Sequence, residues 1–189
     1  MSNWRLPFPV VFEPFGSITA ARKAMGLGPH RGCDYNGLDP KTRKPVYKFG
    51  KGTPLPAIAD GKISQNYWSD GLGWVVELAV RDVSAGKTRT LFFMYCHLDK
   101  QSPLKVGTVV KSGASVGGAG TSGKYSSGVH LHFTLSNTSK GGAVGKVYDA
   151  HAFLEKRIAG EAKKRAAAAK KPITATTAQV CPTCKQVIK

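Results

Sequence analysis

Short apolar runs separated by glycine-containing turns dominate the middle of the chain. Leu55–Ala59 is one such run, and Asp60-Gly61 behind it is a hairpin turn signal. Lys62–Trp68 follows, then a Gly-flanked turn, then "WVVELAV" at Trp74–Val80. A further turn at Ala85-Gly86-Lys87 precedes "TRTLFFMYCHL", an alternating strand with His97 near its end. "VGTVVKSGASVGGAGTSGKYSSG" then sets short Val-containing strands between glycines, leading into "GVHLHF" at residues 128–133. Residues two apart on a strand share a face, roughly 7 Å from each other. His130 and His132 are therefore expected to project together, with Val129, Leu131 and Phe133 turned the other way into a core. Two imidazoles in one cleft can bind a metal, move protons, or do both.

The pattern changes at both ends. Residues 1–30 are rich in Pro, Gly and aromatics and read as irregular, with at most a short helical patch at Ile18–Met25. Asp149 is suited to cap a short helix through Leu154, and "EKRIAGEAKKRAAAAKK" (Glu155–Lys171) reads as helix until Pro172 breaks it. Many short strands with Gly-rich turns predict a mainly β fold, an antiparallel sandwich or barrel of roughly 150 residues, followed by a basic C-terminal helix. Three regions are expected: an irregular segment at 1–27 packing on the core, a functional domain at 28–154, and a basic helix, linker and CxxC tail at 155–189.

Composition narrows the setting. A chain of 189 residues with 41% hydrophobic content, three Trp, six Tyr and eight Phe is a folded protein rather than a disordered one. The net charge is +17, of which +7 falls in residues 155–189, about three times the density elsewhere. That balance favours polyanionic partners without choosing among nucleic acid, an anionic membrane and an anionic cell wall. Cys33, Cys96, Cys181 and Cys184 are too few and too scattered for a disulfide scaffold. The opening "MSNWRLPFPVVFEPFGS" lacks the apolar run of a signal peptide, and no stretch is long enough to span a membrane, so synthesis in a cytoplasm is expected.

The candidate chemistry lies in the histidines. "PHRGCDYNG" brings His30 and Asp34 close in sequence, and "FFMYCHL" supplies His97. A hydrolytic zinc takes three protein ligands from His, Asp or Glu and keeps a fourth position open. His30, Asp34 and one histidine of the HxH pair complete such a set, leaving His97 and the other free for proton transfer and oxyanion stabilisation. Spacing alone leaves open which HxH histidine is the ligand.

"HRGCDY" (30–35), "YCHL" (95–98) and "HLHF" (130–133) resemble the three signature segments of the lysostaphin-type zinc endopeptidases, metallopeptidase family twenty-three. "KGTPLPAIADGKI" also resembles a family hairpin, and "VGTVVKSGASVGGAGTSGKYSSGVHLHF" its glycine-rich lead into the last motif. The resemblance spans about Gly28 to Leu154. It implies one Zn²⁺ per chain held by His30, Asp34 and His132, with His97 and His130 as the catalytic pair. It also implies hydrolysis of peptide bonds in peptidoglycan cross-links or stem peptides. The loops around Tyr35-Asn36, Tyr67–Gly73 and Thr121–Ser127 are expected to wall the groove. Cys33 stands where the family has an aliphatic residue, Cys96 where it has a small one, and Val129 where proline is common. Both thiols are expected to face the core, the rival being soft competing ligands.

The remaining features have plainer readings. The basic tail is a solvated helix or an attachment to anionic wall polymers; without interleaved aromatics it does not suggest nucleic-acid binding. "CPTC" is half of a zinc ribbon without its other half, and His151 is expected to be structural. A small, basic, leaderless peptidoglycan hydrolase fits a bacteriophage endolysin, monomeric, acting on the wall after the membrane is breached. The rivals are an inactive wall-binding or amidase-activating module, and a basic nucleic-acid-binding protein with structural zinc.

Overall fold

The computed structural model describes residues 3–84 and 86–169. The chain is mainly β, as its alternation predicts. A seven-stranded antiparallel sheet contains β1 (Cys33–Tyr35), β3 (Gly61–Ser69), β4 (Gly73–Ser84), β5 (Lys87–Leu98), β6 (Val109–Val110), β8 (Leu131–Ser136) and β9 (Val147–Tyr148). Its order is β1-β8-β5-β4-β3-β6, with β9 also paired to β8. A second sheet of two strands pairs β2 (Pro54–Pro56) with β7 (Ser115–Gly118). The helices are α1 (Ala20–Ala24), α2 (Gly141–Val144) and α3 (Ala150–Ala169). Among the described residues no helix is long and apolar enough to cross a membrane.

Alternation along each strand gives the large sheet two faces. Tyr35, Val76, Leu78, Phe93, Tyr95, Leu131, Phe133 and Leu135 lie on one face and are fully or almost fully buried. Trp4 and Phe153 meet Phe93 there, and Leu55 and Val116 from the two-stranded sheet join the same cluster. The Tyr95 hydroxyl donates to the Pro56 carbonyl and accepts from the Ile58 N–H, so this buried polar atom is satisfied. The opposite face carries Asp34, His132 and Cys96 in register across three neighbouring strands. A smaller cluster of Val75, Met94 and Cys96 lies beside them, covered by Tyr67, Leu72 and Ala143.

One local expectation needs adjustment. Asp60-Gly61 does not close a hairpin between neighbours, because β2 pairs with β7 while β3 pairs with β4 and β6. Asp60 instead accepts from Ser112 N–H and Lys111 Nζ, both at 2.9 Å. The helical patch near residue 18 is the single turn α1, capped by Thr19. Helix α3 is continuous from Ala150, with Asp149 Oδ1 accepting from the Ala152 N–H at 2.9 Å as an N-cap. The boundary between two compact units falls at Ile158, inside α3. Lys170, Lys171, Pro172 and the CPTC segment lie outside the described residues.

The irregular N-terminal segment also contributes main-chain pairing. Phe12 N–H and Asp34 N–H bond across to Asp34 and Glu13 carbonyls, and Gly16 and Ser17 pair with His30. Residues 12–17 thus lie along the edge that bears the first motif.

Candidate metal centre and active-site cleft

Asp34 and His132 sit directly opposite each other on β1 and β8, so their side chains share the open face of the sheet. His30 precedes β1, where its Nδ1 lies 3.1 Å from the Pro14 carbonyl. A carbonyl only accepts, so Nδ1 carries the hydrogen, and a neutral His30 turns the Nε2 lone pair toward Asp34 and His132. The three facing atoms form a compact triangle. His30 Nε2 is 3.0 Å from His132 Nδ1 and 3.2 Å from Asp34 Oδ1, and His132 Nδ1 is 2.9 Å from Asp34 Oδ1.

That triangle fits a metal ion. Two ring nitrogens and a carboxylate oxygen crowd one point, an arrangement that only a shared proton or a cation reconciles. A tetrahedral zinc with bonds of about 2.0–2.1 Å separates its ligand atoms by about 3.3 Å, close to the edges observed. Among the described residues these three form the one group of His, Cys, Asp or Glu able to hold a metal. The electrostatics agree. Burial opposes the Asp34 charge, but the His132 and His30 rings that face it outweigh burial and hold the carboxyl well below its usual range. Burial pulls His132 down despite Asp34. For His30 burial is also the largest influence, yet Asp34 and Glu13 together prevail and push it up.

Gly32 makes room for this cluster. A Cβ there would stand 2.7 Å from His132 Cε1 and 2.7 Å from the Phe133 carbonyl oxygen. The "HRGCDY" motif contains this glycine, but only the packing shows why a side chain is excluded.

His97 reaches the same cleft by breaking the alternation of β5. Tyr95 and Cys96 point to opposite faces, and simple alternation would send His97 into the core with Tyr95. A bulge intervenes. Trp74 pairs with Leu98 and Val76 with Tyr95, so β5 spends one residue more than β4 between those pairs. His97 sits in it with φ +61, the left-handed region that costs a non-glycine residue about 1–3 kcal/mol. Its main-chain N–H donates to the Leu72 carbonyl at 2.9 Å, and its ring Nδ1 faces the Ser122 carbonyl at 2.7 Å. The Ser122 hydroxyl in turn donates to the Leu98 carbonyl and accepts from the Trp74 N–H. Burial, with smaller contributions from His130 and His132, pulls His97 down to about 3.

His130 lies beside it, ring centroids 4.7 Å apart. Its Nδ1 is 2.8 Å from the Gly128 carbonyl, and its Nε2 is 3.8 Å from Asp34 Oδ2. As the alternation of "GVHLHF" predicts, His130 and His132 both line the cleft while Leu131 and Phe133 are fully buried.

The cleft has a volume of about 570 Å³. Asn36, residues 69–72, Lys124, Tyr125, Ser127 and Gly128 contribute to its walls, in part as the loop expectations propose, whereas Tyr35 is fully buried in the core. Two walls were not foreseen: the N-terminal segment with Glu13 and Arg22, and α2 with Ala143 and Val144. Neither carries a sequence signal, because each reaches the cleft only through tertiary pairing. Cys33 and Cys96 are buried and stand outside the metal-binding group. Burial pushes the Cys33 thiol up to about 11 and Cys96 higher still. His151 packs away from the cleft against the Tyr35 hydroxyl at 2.9 Å.

Known proteins share this arrangement of sequence and fold. The chain is 36% identical over 123 residues to the glycyl-glycine endopeptidase ALE-1 of Staphylococcus capitis, covering 62% of this chain and 30% of that protein. It is 36% identical over 117 residues to lysostaphin of Staphylococcus simulans, covering 59% and 21%. The chain therefore matches less than a third of the length of either relative. The solved catalytic domain of the antimicrobial peptidase lysostaphin from Staphylococcus simulans superposes with a TM-score of 0.51 at 28% identity, covering 78% of this chain and 90% of that one. The structure of LytU gives 0.55 at 26%, covering 81% and 90%. The family profile described as Peptidase family M23 matches residues 44–146, which include His97, His130 and His132. On that match, spanning more than half its length, the chain belongs to peptidase family M23.

Proposed function

We propose that this chain is a zinc-dependent endopeptidase that hydrolyses peptide bonds in the cross-links or stem peptides of bacterial peptidoglycan. The observation that carries the reading is the triangle of His30, Asp34 and His132 with two further imidazoles on the same cleft. Similarity to a glycyl-glycine endopeptidase and to lysostaphin supports the choice of substrate class. His30 Nε2, Asp34 and His132 Nδ1 would hold one zinc per chain.

Zinc bound there supplies a Lewis acid for the carbonyl and lowers the pKa of a water to about 7. The protein's own groups do the rest. His97 is neutral at neutral pH, because burial keeps it so. With Nδ1–H held by the Ser122 carbonyl, its Nε2 lone pair is free to take a hydrogen bond from the attacking water and steady its direction. His130, fixed at Nδ1 by the Gly128 carbonyl and the more exposed of the two, turns Nε2 toward the Asp34 side of the cleft. From there Nε2 takes up the proton that the attacking water gives up, directly or through solvent, and passes it to the departing amine. The walls hold the peptide in line and limit access of bulk water.

The setting belongs to the same reading: a phage endolysin, monomeric, that reaches the wall once the membrane is breached. The net charge of +17 supports approach to an anionic envelope and its acidic polymers. Mass analysis of peptides released from purified glycine-bridged and direct-linked walls, with zinc supplied, tests the chemistry. New amino termini in one wall type are expected; none in either contradicts the reading. Co-expression with a membrane-permeabilising protein tests the setting, with culture lysis expected only when both are present.

A further inference from the structure

Glu77 is a fully buried carboxylate on β4, on the cleft face of the sheet, and no step above uses it. Both of its oxygens are engaged. Oε1 accepts from Ser64 Oγ at 2.8 Å and Ser139 Oγ at 2.7 Å, and Oε2 accepts from the Lys140 N–H at 2.7 Å. Two of these three donors belong to the strap of residues 137–146 that joins β8 to β9.

The strap is held in a demanding shape. Lys140 has φ +58, again the left-handed region, and its own N–H makes the bond to Glu77. Gly141 and Gly142 then lie flat against the sheet: a Cβ would meet Ser136 Oγ at 2.1 Å or Thr134 Oγ1 at 2.2 Å. Ala143 packs on the Val75, Met94 and Cys96 cluster. Gly142, Ala143 and Val144 form one wall of the cleft, and Val144 stands 87% exposed. A buried carboxylate is costly unless paired, and two of the three donors that pair this one lie on the strap rather than on the sheet. Stability of the sheet alone therefore does not account for it.

We propose that Glu77 is a positioning residue that fixes this strap as a substrate-binding wall, with Val144 as the side chain that touches the peptide. The proposal rests on the endopeptidase reading. Its test uses the zinc-loaded full chain and muropeptides solubilised from purified walls. Glu77→Ala frees the strap and is expected to raise KM about fivefold or more, with kcat within about twofold. Glu77→Gln can offer its amide oxygen to the Lys140 N–H and its NH2 to the two serine hydroxyls, and is expected to keep the wild-type KM. Val144→Asp, at an exposed position, is expected to raise KM without changing the melting temperature.

A purely structural Glu77 would lower the melting temperature of Glu77→Ala and leave KM unchanged; that result, with unchanged KM in Val144→Asp, overturns the proposal. Should Glu77→Ala fail to fold, Ser139→Ala and Val144→Asp decide, and unchanged KM in both overturns it. A wild-type chain that neither cleaves nor binds muropeptides removes the endopeptidase reading and this proposal with it.

Discussion

Adding one methyl group at Gly32 tests how tightly the metal cluster is built. A Cβ at this position meets His132 Cε1 at 2.7 Å, His132 Nε2 at 2.9 Å and the Phe133 carbonyl oxygen at 2.7 Å. Ordinary contacts between such atoms begin near about 3.5 Å, so two neighbours must each yield roughly 0.8 Å. Neither is a flexible chain end. One is backbone in β8, and the other is an imidazole held by Asp34 at 2.9 Å. Overpacking of this kind costs about 1–3 kcal/mol, or a fall in Tm of about 2–12 °C in a chain of this size. If His132 gives way, its Nδ1 leaves the triangle, and zinc affinity is expected to fall about 10- to 100-fold. The assay is thermal unfolding together with zinc competition against a chromophoric chelator, comparing Gly32→Ala with Gly28→Ala. Gly28 meets nothing within 4 Å and serves as the control. A Gly32→Ala protein that melts and binds zinc like the control would refute the packing argument.

Further expectations concern His97, the proposed metal and the thiols. His97→Ala is expected to retain one zinc per chain while wall hydrolysis falls about 10²- to 10⁴-fold, measured by released amino termini and metal analysis. Because residue 97 has φ +61, His97→Gly should melt above His97→Ala by about 1 kcal/mol equivalent while remaining equally inactive; equal melting would remove the strain argument. Chelation should abolish hydrolysis, zinc should restore it, and the melting temperature should rise with zinc concentration because only the folded chain presents the triangle. Cys33 and Cys96 should resist iodoacetamide in the native protein and react after unfolding, since both are buried and burial pushes Cys33 up to about 11. Mass mapping of the labelled peptides reads this out.

Much of the candidate site is legible in the sequence because its chemistry follows strand periodicity. His130 and His132 share a face by their spacing alone, and Leu131 and Phe133 are buried by the same rule. The long strands β3, β4 and β5 announce themselves through apolar runs and glycine turns. His97 is different. Alternation points it into the core, and only a one-residue bulge with a left-handed backbone brings it beside His130. The cradle of His30 is equally hidden, since Pro14 and Glu13 reach it by main-chain pairing of a segment with no apolar period. Pairing between β2 and β7 escapes for a related reason: Asp60-Gly61 has the chemistry of a tight turn, while the register of its flanks is decided elsewhere. Glu77 carries no motif. Its meaning appears only when Ser139 and Lys140 are folded onto it.

Anomalous diffraction at the zinc absorption edge, from crystals of the full chain grown with one equivalent of zinc, tests the central claim most directly. The account predicts a single peak bonded to His30 Nε2, a carboxylate oxygen of Asp34 and His132 Nδ1, with His97 and His130 unligated beside it. A peak held instead by cysteine sulfur, or one bonded to His97 in place of His132, would contradict it.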